Sequence, residues 1–315
     1  MAKCCFGVDV GGTTVKIGCF DQEGHILSKW EIPTRKEEKG KYVLPDVAAS
    51  LKNYIEKEHI AMGDIRGIGI GVPGPVLRNG TVERCVNLGW GHTDMKGILR
   101  QYFPGIDIEA GNDANVAALG EVWRGAGRGR KNAVMVTLGT GVGGGVIING
   151  KIVTGVHGMG GEIGHIHVRD EDHDTCNCGG HGCLEQSASA TGLVREAKRL
   201  LRENPDTESG MREKGDRLEA KDVFAFAAKE DALALKAIDT MAYYLGRAFA
   251  GIAMVVDPEV FIIGGGVSRA GKFLNDRIEK YYYDYAPLTG QKSDIVTALL
   301  GNDAGIYGAA KMVLD

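Results

Sequence analysis

Apolar residues come in short runs from the start of the chain. Residues 5–10 are apolar, Gly11-Gly12-Thr13-Thr14 breaks the run, and residues 15–20 are apolar again, the pattern of a hairpin. The polar turn 21–24 leads to a third strand near 25–32. Over 44–58 the apolar spacing changes to that of a helix. Residues 65–72 then read as a strand that ends in Pro73-Gly74-Pro75. The same order of events recurs later. A strand at 133–138, a glycine-rich turn at 139–145, a strand at 146–149 and a return at 151–153 form a second hairpin, and a strand at 259–263 again ends in glycines, 264–266. The recurrence is one of pattern, not of residue identity, and predicts a duplicated unit. Helices are expected at 112–124, 191–204, 223–254 and 303–314, with polar loops at 206–210 and 214–221. Strands alternating with helices predict an α/β fold.

Composition narrows the function. The chain has 315 residues, long enough for two domains, and 43% hydrophobic residues, enough to fill their cores. A formal net charge of −4 argues against nucleic acid as the main partner. The best apolar stretch, 248–263, is interrupted by Asp257-Pro258 and is too short for a membrane span, and residues 1–10 carry no signal-peptide pattern. Cys4, Cys5, Cys19 and Cys85 lie among apolar residues, as reduced core thiols do, which predicts a cytoplasmic protein. The 48 glycines are clustered, so backbone there must bend sharply or approach a ligand closely.

Two of the clusters suit phosphate. Asp9-Val10-Gly11-Gly12-Thr13-Thr14-Val15-Lys16 exposes backbone N–H groups and hydroxyls in a tight turn, with Asp9 placed to hold magnesium through water. In 138–145, five of eight positions are glycine, more than a structural turn needs, and Thr140-Gly141 sits at its centre. A third turn, with Gly265 and Gly266, is expected along the nucleotide base and ribose.

Cys176, Cys178 and Cys183 fall within eight residues. With one histidine they make a Cys3His set suited to a closed, structural zinc site. His165 is the preferred fourth ligand, with His157, His167, His173 and His181 as competitors. Leu184-Glu185 follows at once, so a folded loop would also fix a carboxylate.

Asn112-Asp113 opens a helix, where an ionised carboxylate is favoured. Alone, Asp113 would read as a helix cap. Beside two phosphate turns and the polar, glycine-rich segments carrying Glu162, His165 and Glu185, it reads as the base that takes a proton from a sugar hydroxyl during phosphoryl transfer.

Together DVGGTTVKIG, GVPGPV, GNDANVAALGE, LGTGVGGG, GGEIGH, CNCGGHGCLE and GGGVSRAG resemble the ROK family of sugar kinases and repressors, in order and over nearly the whole chain. Residues 83–90 and 112–121 are most similar to members that phosphorylate glucose in low-GC Gram-positive bacteria. The resemblance implies an actin-like, ribonuclease-H-like ATPase fold of two α/β domains with a cleft between them. The expected division is 1–112 with 303–315, and 113–302 with the zinc loop. It implies magnesium-ATP as donor and the sugar 6-hydroxyl as acceptor. It implies Asp113 as general base, Asn112, Asp113, Glu162, His165 and Glu185 as sugar contacts, and His165, Cys176, Cys178 and Cys183 as zinc ligands. Asp9, Gly11, Gly12, Thr13, Thr14, Lys16, Thr140, Gly141, Gly265 and Gly266 would line the nucleotide. A homodimer or homotetramer is the usual assembly of the family. A sugar-responsive repressor is the rival reading, but Asp9 lies too near the first residue for a preceding helix-turn-helix domain. Within the kinase class the rivals are fructose, mannose, N-acetylglucosamine and N-acetylmannosamine as acceptors, and polyphosphate as donor.

Overall fold

The computed structural model describes residues 3–286, 288 and 290–314. The chain packs as two compact units: Met1–Lys131, Gly145–Gly161 and Leu299–Asp315 form one, Asn132–Gly144 and Glu162–Ala298 the other.

The first unit is built on a five-stranded sheet in the order Ile26–Pro33, Thr14–Phe20, Cys4–Val10, Ile65–Val72, Asp107–Asn112. The first three strands pair antiparallel and the last two continue in parallel. Cys4–Val10 and Ile65–Val72 are almost wholly buried, which is why both read as continuous apolar runs rather than alternating ones. Val47, Leu51 and Ile55 of the helix Val43–Lys57 share one core with Phe6, Val8, Ile68 and Ile70. Ile306 and Ala310 of the helix Ala304–Met312 pack with Cys5 and Phe20 in another.

The second sheet runs in the order Lys151–Ile152, Val142–Ile148, Ala133–Leu138, Val260–Gly264, Asp294–Thr297. In both sheets the sequence of strands is third, second, first, fourth, fifth, so the repeated pattern in the chain corresponds to a repeated topology. Val260–Gly264 is parallel to both neighbours and fully buried.

Three expectations change. The compact units do not follow the cut at 112/113: the helix Asp113–Arg124 packs on Ala304–Met312 and stays in the first unit. The expected helix 223–254 is two, Ala220–Ala227 and Ala232–Val256. Asp231 starts the second by accepting the N–H groups of Leu233 (3.1 Å) and Ala234 (3.0 Å). Residues 210–217 form a 3-10 segment rather than an open loop.

Candidate active site

Asp113 begins the helix Asp113–Arg124 directly after the edge strand Asp107–Asn112. The cap is Asn112, not Asp113: Asn112 Oδ1 accepts the N–H of Asn115 at 3.1 Å. Asp113 Oδ1 accepts from the Ala114 N–H (2.8 Å) and from Asn112 Nδ2 (3.1 Å), and Oδ2 has no partner among the described residues. Asn112 is itself anchored through Nδ2 to the Gly74 carbonyl, 3.1 Å, which ties the Pro73-Gly74-Pro75 turn to the helix start. Burial holds the Asp113 carboxyl above its ordinary range, with the Ala114 N–H and Asn112 opposing.

Asp9 is the next-to-last residue of the central strand of the same sheet. Burial, and then the charge of Asp113, push its pKa up to about 6, while Lys16 pulls it down. The turn that follows is tied at both ends. Gly11 N–H donates to Thr14 O (3.0 Å), Thr34 Oγ1 donates to Gly11 O (2.8 Å), and Thr34 N–H donates to Thr13 O (2.9 Å). Gly12 has open space where a side chain would be, and Lys16 Nζ reaches the Asn302 carbonyl at 2.9 Å.

In the second unit, the glycine-rich segment is shorter as a turn than its composition suggests. The strand Val142–Ile148 starts immediately after Gly141. Gly141 is explained by a carboxylate: a Cβ there would lie 2.2 Å from Glu185 Oε2, and that oxygen accepts the Val142 N–H at 2.9 Å. Gly145, in the part of the strand belonging to the first unit, is explained by packing: a Cβ would lie 2.6 Å from Ala118 Cβ and 2.9 Å from the Ala114 carbonyl. Two of the five glycines are thus set by close approach within the protein. Thr140 offers its carbonyl to Thr191 Oγ1 (2.8 Å), and Gly265 and Gly266 follow the buried strand Val260–Gly264.

The Cys3His set comes together. Ligand atoms of His165, Cys176, Cys178 and Cys183 all lie within 4.8 Å of one another. Cys176 Sγ is 3.7 Å from His165 Nδ1, and Cys178 Sγ is 3.6 Å from Cys183 Sγ. Ligands about 2.0–2.3 Å from a tetrahedral zinc lie roughly 3.5–3.8 Å apart, so the set fits that ion. It does not fit a disulfide, whose sulfurs are about 2.05 Å apart. Burial and the neighbouring sulfurs push the Cys183 thiol up to about 12. The competitors are otherwise engaged or outside the set: His167 contacts the His181 carbonyl (2.8 Å) and Asp170 (2.9 Å), and His157, His173 and His181 join no such group among the described residues. His165 turns its other nitrogen, Nε2, toward Glu162 Oε2 at 4.0 Å.

Comparisons with known proteins give the family of the chain. The ROK family model matches residues 5–315. The chain belongs to the ROK family. A glucokinase of Halalkalibacterium halodurans is 44% identical over 310 residues, 98% of this chain and 94% of that protein. A glucokinase of Thermotoga maritima is 37% identical, covering 98% and 96%. The crystal structure of a ROK family glucokinase from Streptomyces griseus, in complex with glucose and AMPPNP, matches with a TM-score of 0.75 at 34% identity over 98% of both chains. The fold class is therefore the actin-like α/β ATPase fold. No described helix is long and apolar enough to cross a membrane.

Some supporting residues of this ROK chain escaped sequence reasoning. Thr34 ties the first turn. Arg195 Nη1 holds Asp172 (3.2 Å) and Asp174 (2.7 Å), and Arg195 Nη2 donates to the Gln186 carbonyl (3.0 Å), which fastens the cysteine loop to the helix Ala190–Glu203. Glu121 is fully buried and accepts three backbone N–H groups. Its one sequence signal is a charge at a helix position between the buried Leu119 and Val122.

Proposed function

We propose that this protein is an ATP-dependent glucokinase that transfers the γ-phosphoryl group of ATP to the 6-hydroxyl of glucose, in the cytoplasm. The full-length likeness to glucokinases supports the reaction. The observation that carries the mechanism is Asp113: a half-buried carboxylate at a helix N-terminus, relieved of capping by Asn112, with one oxygen held and the other unpartnered among the described residues.

In the proposed mechanism Asp113 Oδ2 accepts the proton of the 6-hydroxyl as the oxygen attacks phosphorus in line. Asn112, Asp113, Glu162, His165 and Glu185 are each assigned to sugar hydroxyls. Glu185 is suited because Val142 N–H holds one oxygen and leaves Oε1 to accept. Gly11, Gly12, Thr13 and Thr14, with Lys16, and separately Thr140, Gly141, Gly265 and Gly266, are assigned to the nucleotide. Magnesium, when bound, supplies charge neutralisation at the phosphates, and Asp9 is the hard oxygen ligand proposed to hold it through water. Zinc, when bound to His165, Cys176, Cys178 and Cys183, cross-links the cysteine loop and fixes the His165 ring, leaving Nε2 toward Glu162. A homodimer or homotetramer is proposed as the assembly, supported by the exposed Met254 and Val255 at the end of Ala232–Val256.

Initial rates of ADP release across a panel of hexoses and N-acetylhexosamines test the reading. Glucose should give the highest kcat/KM. An N-acetylhexosamine or fructose leading by tenfold or more would overturn the substrate. Polyphosphate in place of ATP should give no comparable rate.

A further inference from the structure

The chain passes from one compact unit to the other after Lys131, Gly144, Gly161 and Ala298. On the side of the first unit, the last three of these passages are held by a single helix, Asp113–Arg124. Gly145 packs on its first turns, where a Cβ would lie 2.9 Å from the Ala114 carbonyl oxygen and 2.6 Å from Ala118 Cβ. Leu299 and Leu300 donate their N–H groups to Glu121. At the remaining passage, Asn115 Nδ2 donates to the Gly160 carbonyl at 3.0 Å. The helix that begins with Asp113 thus also anchors the points where the chain leaves its unit.

Gly160 has little freedom of its own. Its N–H donates to the Thr154 carbonyl at 2.9 Å, and a Cβ would lie 2.0 Å from the Val153 carbonyl oxygen. Asn115 supplies the tie to its carbonyl. Gly161 follows with a φ of 92°, a conformation that glycine adopts without strain, so the chain turns at once. Glu162 lies two positions beyond the held carbonyl and His165 five.

The chemistry of Asn115 suits this anchoring and little else. The side chain is only 3% exposed. Its Nδ2 faces two acceptors, Gly160 O and, at 3.4 Å, Asn112 Oδ1, so a flipped amide would set oxygen against oxygen at both. In the orientation it holds, Oδ1 is buried without a partner among the described residues, which costs stability. The helix start does not need the side chain, because the backbone N–H of Asn115 is the group that Asn112 Oδ1 accepts. An apolar side chain of the same size would spare the buried oxygen but could not hold Gly160.

We propose that Asn115 is a positioning residue for the sugar. Through the Gly160 carbonyl it sets the segment that carries Glu162 and His165, and it does not itself touch the sugar. The assignment of that segment to sugar hydroxyls rests on the proposed function.

The test compares the parent with Asn115→Leu, which keeps the size and removes the donor, and Asn115→Ala, which removes both. Calorimetric titration of the full chain reads glucose affinity, and ADP release reads kcat and the two KM values. Both variants should bind glucose about fivefold more weakly or worse, the scale of one net hydrogen bond. Their KM for glucose should rise by a similar factor, with KM for ATP within about twofold and kcat within about threefold of the parent. Asn115→Leu should melt at or above the temperature of Asn115→Ala. Glucose affinity restored by leucine but not by alanine would make Asn115 a packing residue and overturn the proposal. So would affinity within about twofold of the parent in both variants, an equal rise in both KM values, or failure of both variants to fold. A parent that does not phosphorylate glucose refutes the proposed reaction separately, and the same comparison is then made with the hexose it phosphorylates fastest. A parent that acts on no sugar overturns both.

Discussion

Asp9 and Asp113 are carboxylates whose ionised forms are both disfavoured, and this has opposite consequences for stability and turnover. The folded pKa of Asp9, about 6, lies above its unfolded value of 3.8, so the folded state binds more protons between those values. Its stabilising contribution is present at low pH and is lost as pH rises toward 6. At neutral pH the ionised Asp9 opposes folding when no cation is bound. Asp9→Asn should therefore raise the melting temperature by several degrees at pH 7.5 without magnesium or nucleotide, the gain shrinking toward pH 4. The same variant should lose most turnover, the trade expected where a site is built at the cost of stability. Thermal melts across pH check the first part and ADP release the second. Asp113 leads to a separate prediction. Burial raises its pKa, so its base form disappears as pH falls through a value above the usual carboxylate range. The rate should fall on the acid side accordingly, and Asp113→Asn should cut kcat by roughly 10²-fold or more with the fold retained. A near-normal rate in that variant would sink its role as base. The place of Asp113 at a helix start was legible in the sequence. Its electrostatic link to Asp9 was not, because 104 positions separate them and only the sheet brings the two strand ends together.

At the scale of elements, the glycine turns were legible as locations but only partly as reasons. Excess glycine at 139–145 was read as room for phosphate, yet Gly141 accommodates Glu185 and Gly145 accommodates the helix Asp113–Arg124. Composition does not distinguish a ligand approaching a backbone from another part of the protein doing so. The Cys3His cluster was more legible as a group, and its four residues do come together. Its anchorage was not, because Arg195 and Asp172 are ordinary charged residues in sequence. The two devices predict different phenotypes. Cys178→Ser should lose the metal, read as zinc per chain, and should raise the KM for glucose because His165 and Glu185 flank the loop. Arg195→Ala should keep the zinc but leave Asp172 buried and unpaired, lowering stability by roughly 3 kcal/mol. Equal zinc content in the parent and Cys178→Ser would refute the ligand set. Several elements were missed altogether. The helix Lys272–Tyr285 has three consecutive tyrosines, of which only Tyr282 is buried, and this blurs its periodicity.

At the scale of the whole molecule, the sequence pattern indicated two related halves but misplaced their packing. It assigned the helix after Asp113 to the second half, whereas Glu121 on that helix helps hold the C-terminal return in the first unit. Glu121 Oε2 accepts the N–H groups of Ala126 (2.8 Å) and Leu299 (3.1 Å), and Oε1 accepts that of Leu300 (2.7 Å). Leu299 and Leu300 lead into Ala304–Met312, the helix that covers the first sheet. One buried carboxylate therefore joins a helix C-terminus, a turn and the returning chain, which is a role for a charge that no local pattern reveals. Glu121→Ala would leave three backbone donors without acceptors, each loss costing about 1–3 kcal/mol, and should destabilise the protein by roughly 3–5 kcal/mol. Glu121→Gln preserves the shape, but its amide nitrogen must face at least one N–H donor whichever way it turns. It should fall between the parent and Glu121→Ala, at about 1–3 kcal/mol. Urea denaturation of the three proteins at fixed protein concentration gives the order. If Glu121→Gln matched the parent, the backbone donors would not be what holds Glu121 in place. If both variants lost stability in the predicted order while keeping glucose KM near the parent value, Glu121 would act on the fold of the first unit and not on the sugar.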